Sequence, residues 1–215
     1  MKPLSPLLIR ILSVLCLGVI LFLFYTLTIY SIRPGEKGGS SPQTLPRQCK
    51  AFHSPDKPTL IMFAHPKCPC SRASVGELAE IMGRLGDRVN TTVLFLRPND
   101  FEEDWVKTDL WTQASAIPGV RTMIDTDGSE AKTFGCATSG HTLVYDQSGH
   151  LAFEGGITGS RAHYGDNDGA DAVKAILLAK TPAMKSTAVY GCSLLDKPLS
   201  SGFVGFIKEQ CQLRN

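Results

Sequence analysis

Two cysteines one residue apart, Cys68-Pro69-Cys70, followed at once by Ser71 and Arg72, are the residues in this sequence best suited to chemistry. A thiolate, not a thiol, attacks a disulfide or binds a soft metal, so the sulfur that matters is the one its surroundings ionise. A cysteine at a helix N-terminus faces unpaired N–H groups and the positive end of the helix dipole, and a helical pattern begins at Ser71. Cys68 is placed for this role. Lys67 and Arg72 either add positive charge beside it or point into water. Ser71 either donates a hydrogen bond to the Cys68 sulfur or caps the helix.

A mixed disulfide on Cys68 needs a second thiol to resolve it, and Cys70 is the nearest in sequence. Residues two apart bridge only with distorted geometry, so such a bond would be strained and easily reduced. If Cys70 is spare, Cys136 or Cys192 would have to swing in. Two soft sulfurs with His65, His141 or His163 would also suit Cu(I) or Zn, although these histidines have no fixed short spacing to one another. Both chemistries require a Cys68 sulfur that is ionised and reachable at the beginning of a helix.

The elements that must position this motif alternate in type. Thr59 to Ala64, TLIMFA, reads as a buried strand, and Ser71 to Leu85 places Val75, Leu78, Ala79, Met82 and Leu85 on one helical face. Thr91 to Leu96 reads as a second buried strand, and Glu102 to Ala114 as a helix with Trp105, Leu110 and Trp111 as apolar bodies. This β-α-β order predicts a parallel pair with a right-handed crossover. A short strand at Thr122 to Asp125, a turn at Asp127-Gly128 and a short helix to Phe134 follow. HTLVYD and LAFEG, separated by Gln147-Ser148-Gly149, read as a hairpin, and Gly169 to Lys180 as a last amphipathic helix.

This order, with Cys68 between a buried strand and a helix, resembles the thioredoxin superfamily, in particular its membrane-tethered TlpA/ResA-type branch. The resemblance is carried by Phe63-x-x-x-x-Cys68-Pro69-Cys70-Ser71-Arg72 with Glu77-Leu78, by Asp125-x-Asp127-Gly128-x-x-Ala131-x-x-Phe134-Gly135, and by Leu143-Val144-Tyr145-Asp146-x-x-Gly149. It covers about residues 55 to 180. The HPKCPC, TSGH and GGITGSRAHYGDN stretches are similar to bacterial RedB-like proteins. The resemblance implies a thioredoxin-like α/β fold, a central mixed sheet flanked by helices, with Cys68 as the attacking cysteine. Ser71 stands where the family has its second cysteine, and Gly140 where it usually has a cis-proline facing the sulfur. In that register Pro69 and Gly140 line the substrate site, and His141 lies close enough to accept a proton or steady the thiolate. Copper chaperones of the Sco type share the fold, so Cys68, Cys70 and His141 form the alternative metal set, with copper as the alternative cofactor to none.

The uncharged stretch Ile11 to Ile32 is long enough to span a bilayer and lacks a small-x-small cleavage site, which favours a signal anchor over a removed leader. Lys2 and Arg10 precede it, placing residues 1–10 in the cytoplasm against a weaker opposing bias from Arg33 and Lys37. Residues 33–48 are rich in Pro, Gly and Ser and read as a flexible tether, 49–180 as the domain and 181–215 as a C-terminal extension. Six of the seven cysteines then lie outside the cytoplasm, an even number compatible with disulfides, and Cys49 with Cys192 or Cys211 would tie the tail down. A net charge of +2 without basic runs excludes a nucleic-acid footprint.

Three readings follow. The first is a thiol–disulfide oxidoreductase on the extracytoplasmic side of the inner membrane, with Cys68 as nucleophile, Cys70 as resolver, and Ser71 and His141 as tuners. Its partners are a protein dithiol or disulfide substrate and an electron donor. The second is a metal carrier, and the third a tethered interaction domain with an inactive centre. Cys68→Ser separates them: it abolishes disulfide reduction in the first, Cu(I) binding in the second, and nothing in the third.

Overall fold

The computed structural model describes residues 5–46 and 56–194. Helix α1 (Pro6–Ile32) opens with Ser5, whose hydroxyl accepts the Leu8 N–H at 3.3 Å, and with a proline in the first turn, where a missing N–H costs nothing. Past Arg10 its residues are uncharged, the hydroxyls of Ser13, Thr28 and Ser31 donate back to carbonyls one turn earlier, and none of its residues is buried. By length and composition it is able to cross a membrane.

Five strands form one mixed sheet in the order β3-β2-β1-β4-β5. β1 (Thr59–Ala64) and β2 (Asn90–Arg97) pair in parallel, as do β2 and β3 (Val120–Thr126), while β4 (His141–Tyr145) runs antiparallel to β1 and to β5 (Leu151–Gly155). The expected β-α-β crossover is made by α2 (Ser71–Leu85), and the hairpin β4–β5 leads to α5 (Asp168–Leu177), N-capped by Asn167. A βαβ unit and a ββα unit sharing one sheet are the thioredoxin-like arrangement that the resemblance implied.

β1 is central and buried along its whole length, which is why it reads as a continuous apolar run. Its alternate residues feed two cores: Leu60, Met62 and Ala64 pack with α2, α5 and α3 (Asp109–Ser115), and Ile61 and Phe63 pack with Phe134, Leu143 and Tyr145 on the other face. The latter face also carries α4 (Ser129–Thr133), whose first N–H groups are held by the buried Asp125 carboxylate at 2.9 Å to both Glu130 and Ala131.

Three expectations are corrected here. The helix read over Glu102 to Ala114 is a single 3-10 turn, Glu103–Trp105, and then α3. Thr108 breaks it: its backbone is extended, and its hydroxyl donates to the Pro66 carbonyl at 2.9 Å, tying this loop to the one before Cys68.

The segment read as a free tether is laid along the domain as far as residue 46. Gly35 N–H donates to the Val189 carbonyl (2.8 Å), Leu45 N–H to the Gly149 carbonyl (2.8 Å), and the Tyr145 hydroxyl to the Pro42 carbonyl (3.0 Å). Its glycines are what allow this: a Cβ at Gly38 would stand 1.8 Å from the Gly135 carbonyl oxygen. Few side chains for a core does not mean few backbone partners.

The boundary drawn at residue 180 falls inside the folded unit. Residues 185–187 run beside Glu154, and Thr138 bridges Ser193 in antiparallel sense. Leu194 is buried in the second core. Cys49, Cys211 and the short helix expected over 203–211 lie outside the described residues.

Candidate active site

The loop between β1 and α2 turns on its own backbone: Cys68 N–H donates to the His65 carbonyl at 3.0 Å, and Ser71 N–H to the Cys68 carbonyl at 3.2 Å. Cys70 is the N-cap residue of α2, so Cys68 stands two residues before the cap. The Cys68 sulfur accepts the N–H of Cys192 at 3.4 Å. The Cys192 thiol and the Ser71 side chain and N–H also hydrogen-bond it, and these donors, with the Cys192 thiol foremost, lower its pKa to about 4 against the opposing effect of burial. The proton of the pair therefore stays on Cys192, whose thiol is pushed up chiefly by that same hydrogen bond to the Cys68 thiolate.

The chemistry required Cys68 to be reachable, and with the chain in this arrangement it is not: the residue is 2 % exposed. It lines a cleft of about 280 Å³ with Pro69, Pro66, Arg72 and Thr108, but the segment carrying Cys192 lies against its sulfur. Cys70, at 5 %, is buried as well, and burial together with the Cys68 charge raises its thiol pKa.

Behind the sulfur, the Ser71 and Ser139 hydroxyls are 2.6 Å apart, and Ser139 Oγ accepts the His65 N–H at 2.7 Å. Ser139 N–H in turn donates to the Cys192 carbonyl at 2.8 Å. Ser139 thus touches the helix start, the loop and the overlying segment. Gly140 follows it with φ +91°, donating its N–H to the Phe63 carbonyl at 2.7 Å, and no described peptide bond is cis. A Cβ here would lie 2.8 Å from Ser74 Oγ. Glycine at this position therefore serves a left-handed backbone pressed against α2, a different solution from a cis-proline.

His141 is not brought to Cys68. It pairs with Phe63 across the sheet, and its ring turns to a cavity of about 550 Å³ shared with Glu154, Gly35 and Val189. Burial lowers its pKa to about 4, with Glu154 opposing, and its Nε2 has no hydrogen-bond partner. The histidine that senses the sulfur is His65: burial lowers its pKa most, and the Cys68 charge works the other way. The metal set Cys68, Cys70 and His141 is accordingly not assembled. Among the described residues no group of three or more His, Cys, Asp or Glu side chains is arranged to hold a metal ion.

The two expected cations have other partners. Arg72 pairs with Asp109, and Lys67 Nζ sits 4.8 Å over the Trp105 ring. The cation that does reach the sulfurs is Arg161, from the Gly-rich loop before α5: it opposes the upward shift of the Cys70 and Cys192 thiols. Its guanidinium donates to the Gly191 carbonyl at 2.7 Å and to the Arg33 carbonyl at 3.2 Å. Glu77 holds that loop on α2 by accepting the Gly165 N–H at 2.6 Å. Cys136, the other candidate resolver, is remote in role: fully buried in the second core, it donates to the Phe134 carbonyl at 3.7 Å, and burial raises its pKa.

Neither Ser139 nor Arg161 was singled out from the sequence as a site residue. Both lie in stretches, TSGH and GGITGSRAHYGDN, that stood out by composition, but nothing local signals that they meet Cys68.

No protein-family model matches the chain, and no curated protein does. Solved structures do. A hypothetical protein from Sinorhizobium meliloti 1021 is 21% identical with a TM-score of 0.55, the match covering 77% of this chain and 97% of that one. An uncharacterized conserved protein from Geobacillus kaustophilus is 17% identical with a TM-score of 0.56, covering 79% and 95%. At these identities the likeness is one of fold. DsbF of MTB matches at a TM-score of 0.44 and 14% identity over 60% of this chain and 84% of that one.

Proposed function

We propose that the protein is a membrane-anchored thiol–disulfide oxidoreductase of the tethered thioredoxin-like kind, its domain on the extracytoplasmic side, with Cys68 as the nucleophile. The observation that carries this reading is the set of donors on one sulfur: the Cys192 N–H at 3.4 Å, the Cys192 thiol and Ser71 favour a thiolate at neutral pH. A buried cysteine with a merely structural role has the opposite environment, as Cys136 does. Lys2 ahead of α1 and Arg10 near its start support the orientation.

In this reading the Cys68 thiolate attacks a disulfide of a partner protein, forms a mixed disulfide and expels one partner thiolate, which takes up a proton. Ser71, steadied by Ser139, positions the nucleophile, and Pro69 lines its cleft. The substrate reaches the sulfur when the segment around Cys192 moves aside, because that segment lies on it.

Full-length protein in detergent micelles, assayed for reduction of a model peptide disulfide by excess dithiol, tests the reading. Cys68→Ser is expected to abolish turnover and to remove the thiolate absorbance near neutral pH. Wild-type turnover by that variant would overturn the proposal. Labelling of an added surface cysteine in intact spheroplasts by a membrane-impermeant maleimide tests the side of the membrane.

A further inference from the structure

We propose that Cys192, carried onto the active centre by the segment after α5, is the thiol that resolves Cys68, so that the oxidised protein holds a Cys68–Cys192 disulfide. This rests on Cys68 being the attacking sulfur, as read above.

The segment is built into the fold. After α5 the chain returns along β5, with Glu154 N–H donating to the Lys185 carbonyl (3.0 Å) and Thr187 N–H to the Glu154 carbonyl (3.2 Å). It then crosses to residues 137–139, where Ser139 N–H donates to the Cys192 carbonyl (2.8 Å) and Leu194 N–H to the Ala137 carbonyl (2.7 Å). Leu194 anchors the far side in the second core. Gly191 lets the backbone come this close: a Cβ there would be 1.9 Å from the Ser139 carbonyl oxygen. Arg161 fixes the same residue from the opposite direction, at 2.7 Å to its carbonyl. Every one of these contacts fixes the place of residue 192, and the place is on Cys68.

Cys70 is less well situated for the task. A bridge to it would span residues two apart across a proline, far from relaxed disulfide geometry. The Cys192 backbone N–H already lies 3.4 Å from the Cys68 sulfur, which brings the Cys192 side chain within reach of it.

The charges also order the steps. While Cys68 is a thiolate it holds the proton on Cys192. When Cys68 has attacked a partner disulfide, its negative charge is gone into the new S–S bond, and Arg161 remains beside Cys192 to favour ionisation. The Cys192 thiolate then attacks the Cys68 sulfur: the Cys68–Cys192 bond forms, the mixed disulfide breaks, and the second partner thiolate leaves with the proton that Cys192 gave up. The partner disulfide has gained two electrons and two protons, one proton from Cys192 and one from solvent, and the Cys68/Cys192 pair has lost two electrons. A partner dithiol running the same exchange in reverse restores the pair.

Peptide mapping of full-length protein in micelles, oxidised with one equivalent of diamide and then alkylated, tests this directly. The expected product links the peptide containing Cys68 to the one containing Cys192, in the wild type and in Cys70→Ser, and is absent from Cys68→Ser. In single turnover with a peptide disulfide, Cys192→Ser and Cys192→Ala are expected to release one peptide thiol and to stall as a mixed disulfide on Cys68. Far-UV circular dichroism and a retained Cys68 thiolate confirm that these variants are folded. Release of both thiols by the Cys192 variants, or a stall in Cys70→Ser with Cys192 unlinked, would overturn the assignment while leaving the oxidoreductase reading intact. A Cys68→Ser protein that still turns over would remove the reading beneath it.

Discussion

Ser139 Oγ lies 2.6 Å from Ser71 Oγ, joining the segment before β4 to the first residue of the active-site helix across 68 residues of sequence. Both hydroxyls are buried. Ser139 also accepts the His65 N–H, so one side chain fixes the loop that carries Cys68 from below while its own backbone N–H holds the segment that covers it from above.

Ser139→Ala is therefore expected to act on both stability and the sulfur. It leaves the His65 N–H without its acceptor and removes one of the Ser71 hydroxyl's two partners, a loss of about 1–3 kcal/mol for a buried polar group. Thermal unfolding of the full chain in micelles measures that cost. Titration of the thiolate absorbance should show the Cys68 midpoint rising, because Ser71 is freed to turn away. Unchanged values of both would show that the pair does not position the nucleophile.

The Cys68 pKa predicts a particular pH profile. Its thiol ionises at about 4 in the fold against an ordinary 9.0, so between these values the unfolded chain binds a proton that the folded one does not, and stability rises with pH across that window. Stability from this source is complete above about pH 9 and lost as pH falls through 4. His141, lowered from 6.5 to about 4 by burial, adds a second proton of the same sign below 6.5. His65, lowered too, works in that direction. The melting temperature should thus fall gently from pH 9 to 6.5 and more steeply below it. Cys68→Ser should flatten the upper limb and leave in the lower one only the histidine contribution, so that it becomes less steep, and a wild-type profile flat from 6.5 to 9 would contradict the thiolate.

How much of this was legible follows the range of the interactions. β1, α2, β2 and the β4–β5 hairpin could be read because their signals are local: buried apolar runs, a helical face of Val75, Leu78 and Met82, and a Gly149 turn. Cys68 could be read for the same reason, as a sulfur between a strand and a helix. The segments 33–46 and 185–194 could not, because they join the fold through backbone hydrogen bonds and close glycine contacts, to which composition is blind. His141 was misplaced because sequence register fixes its position along β4 but not which cavity its ring enters. Arg161 went unassigned because its partners, Gly191 and Arg33, are 30 and 128 residues away.

Gly140→Pro tests whether the position is a vacant proline site. Proline fixes φ near −65° and has no N–H, whereas Gly140 sits at +91° and donates to the Phe63 carbonyl at 2.7 Å. The substitution is expected to cost about 3 kcal/mol or more and to lower the melting temperature accordingly. A protein stabilised by it, with faster disulfide exchange, would mean that the segment adopts the family's geometry after all.

Gly191→Ala separates the covering of Cys68 from its ionisation. The new Cβ would meet the Ser139 carbonyl oxygen at 1.9 Å, so the segment must lift and the Cys192 N–H must leave the sulfur. A hydrogen bond to a charged group contributes about 1.5–3 kcal/mol, which at about 1.36 kcal/mol per unit raises the pKa by roughly 1–2 units. The Cys192 thiol lifts away with the same segment, but the burial that opposed ionisation is relieved and Ser71 stays in place, so that, starting from about 4, Cys68 still ionises below neutrality. At pH 7 the variant's sulfur is therefore as much a thiolate as before but far more exposed. Alkylation of Cys68 by iodoacetamide at pH 7 should accelerate by about tenfold or more, while its acid midpoint moves upward, a divergence expected only if the segment both shields the thiolate and stabilises it. Slower alkylation in Gly191→Ala would show instead that access to the sulfur runs through the cleft beside Pro69 and Thr108, with the covering segment serving to hold the charge and not to guard it.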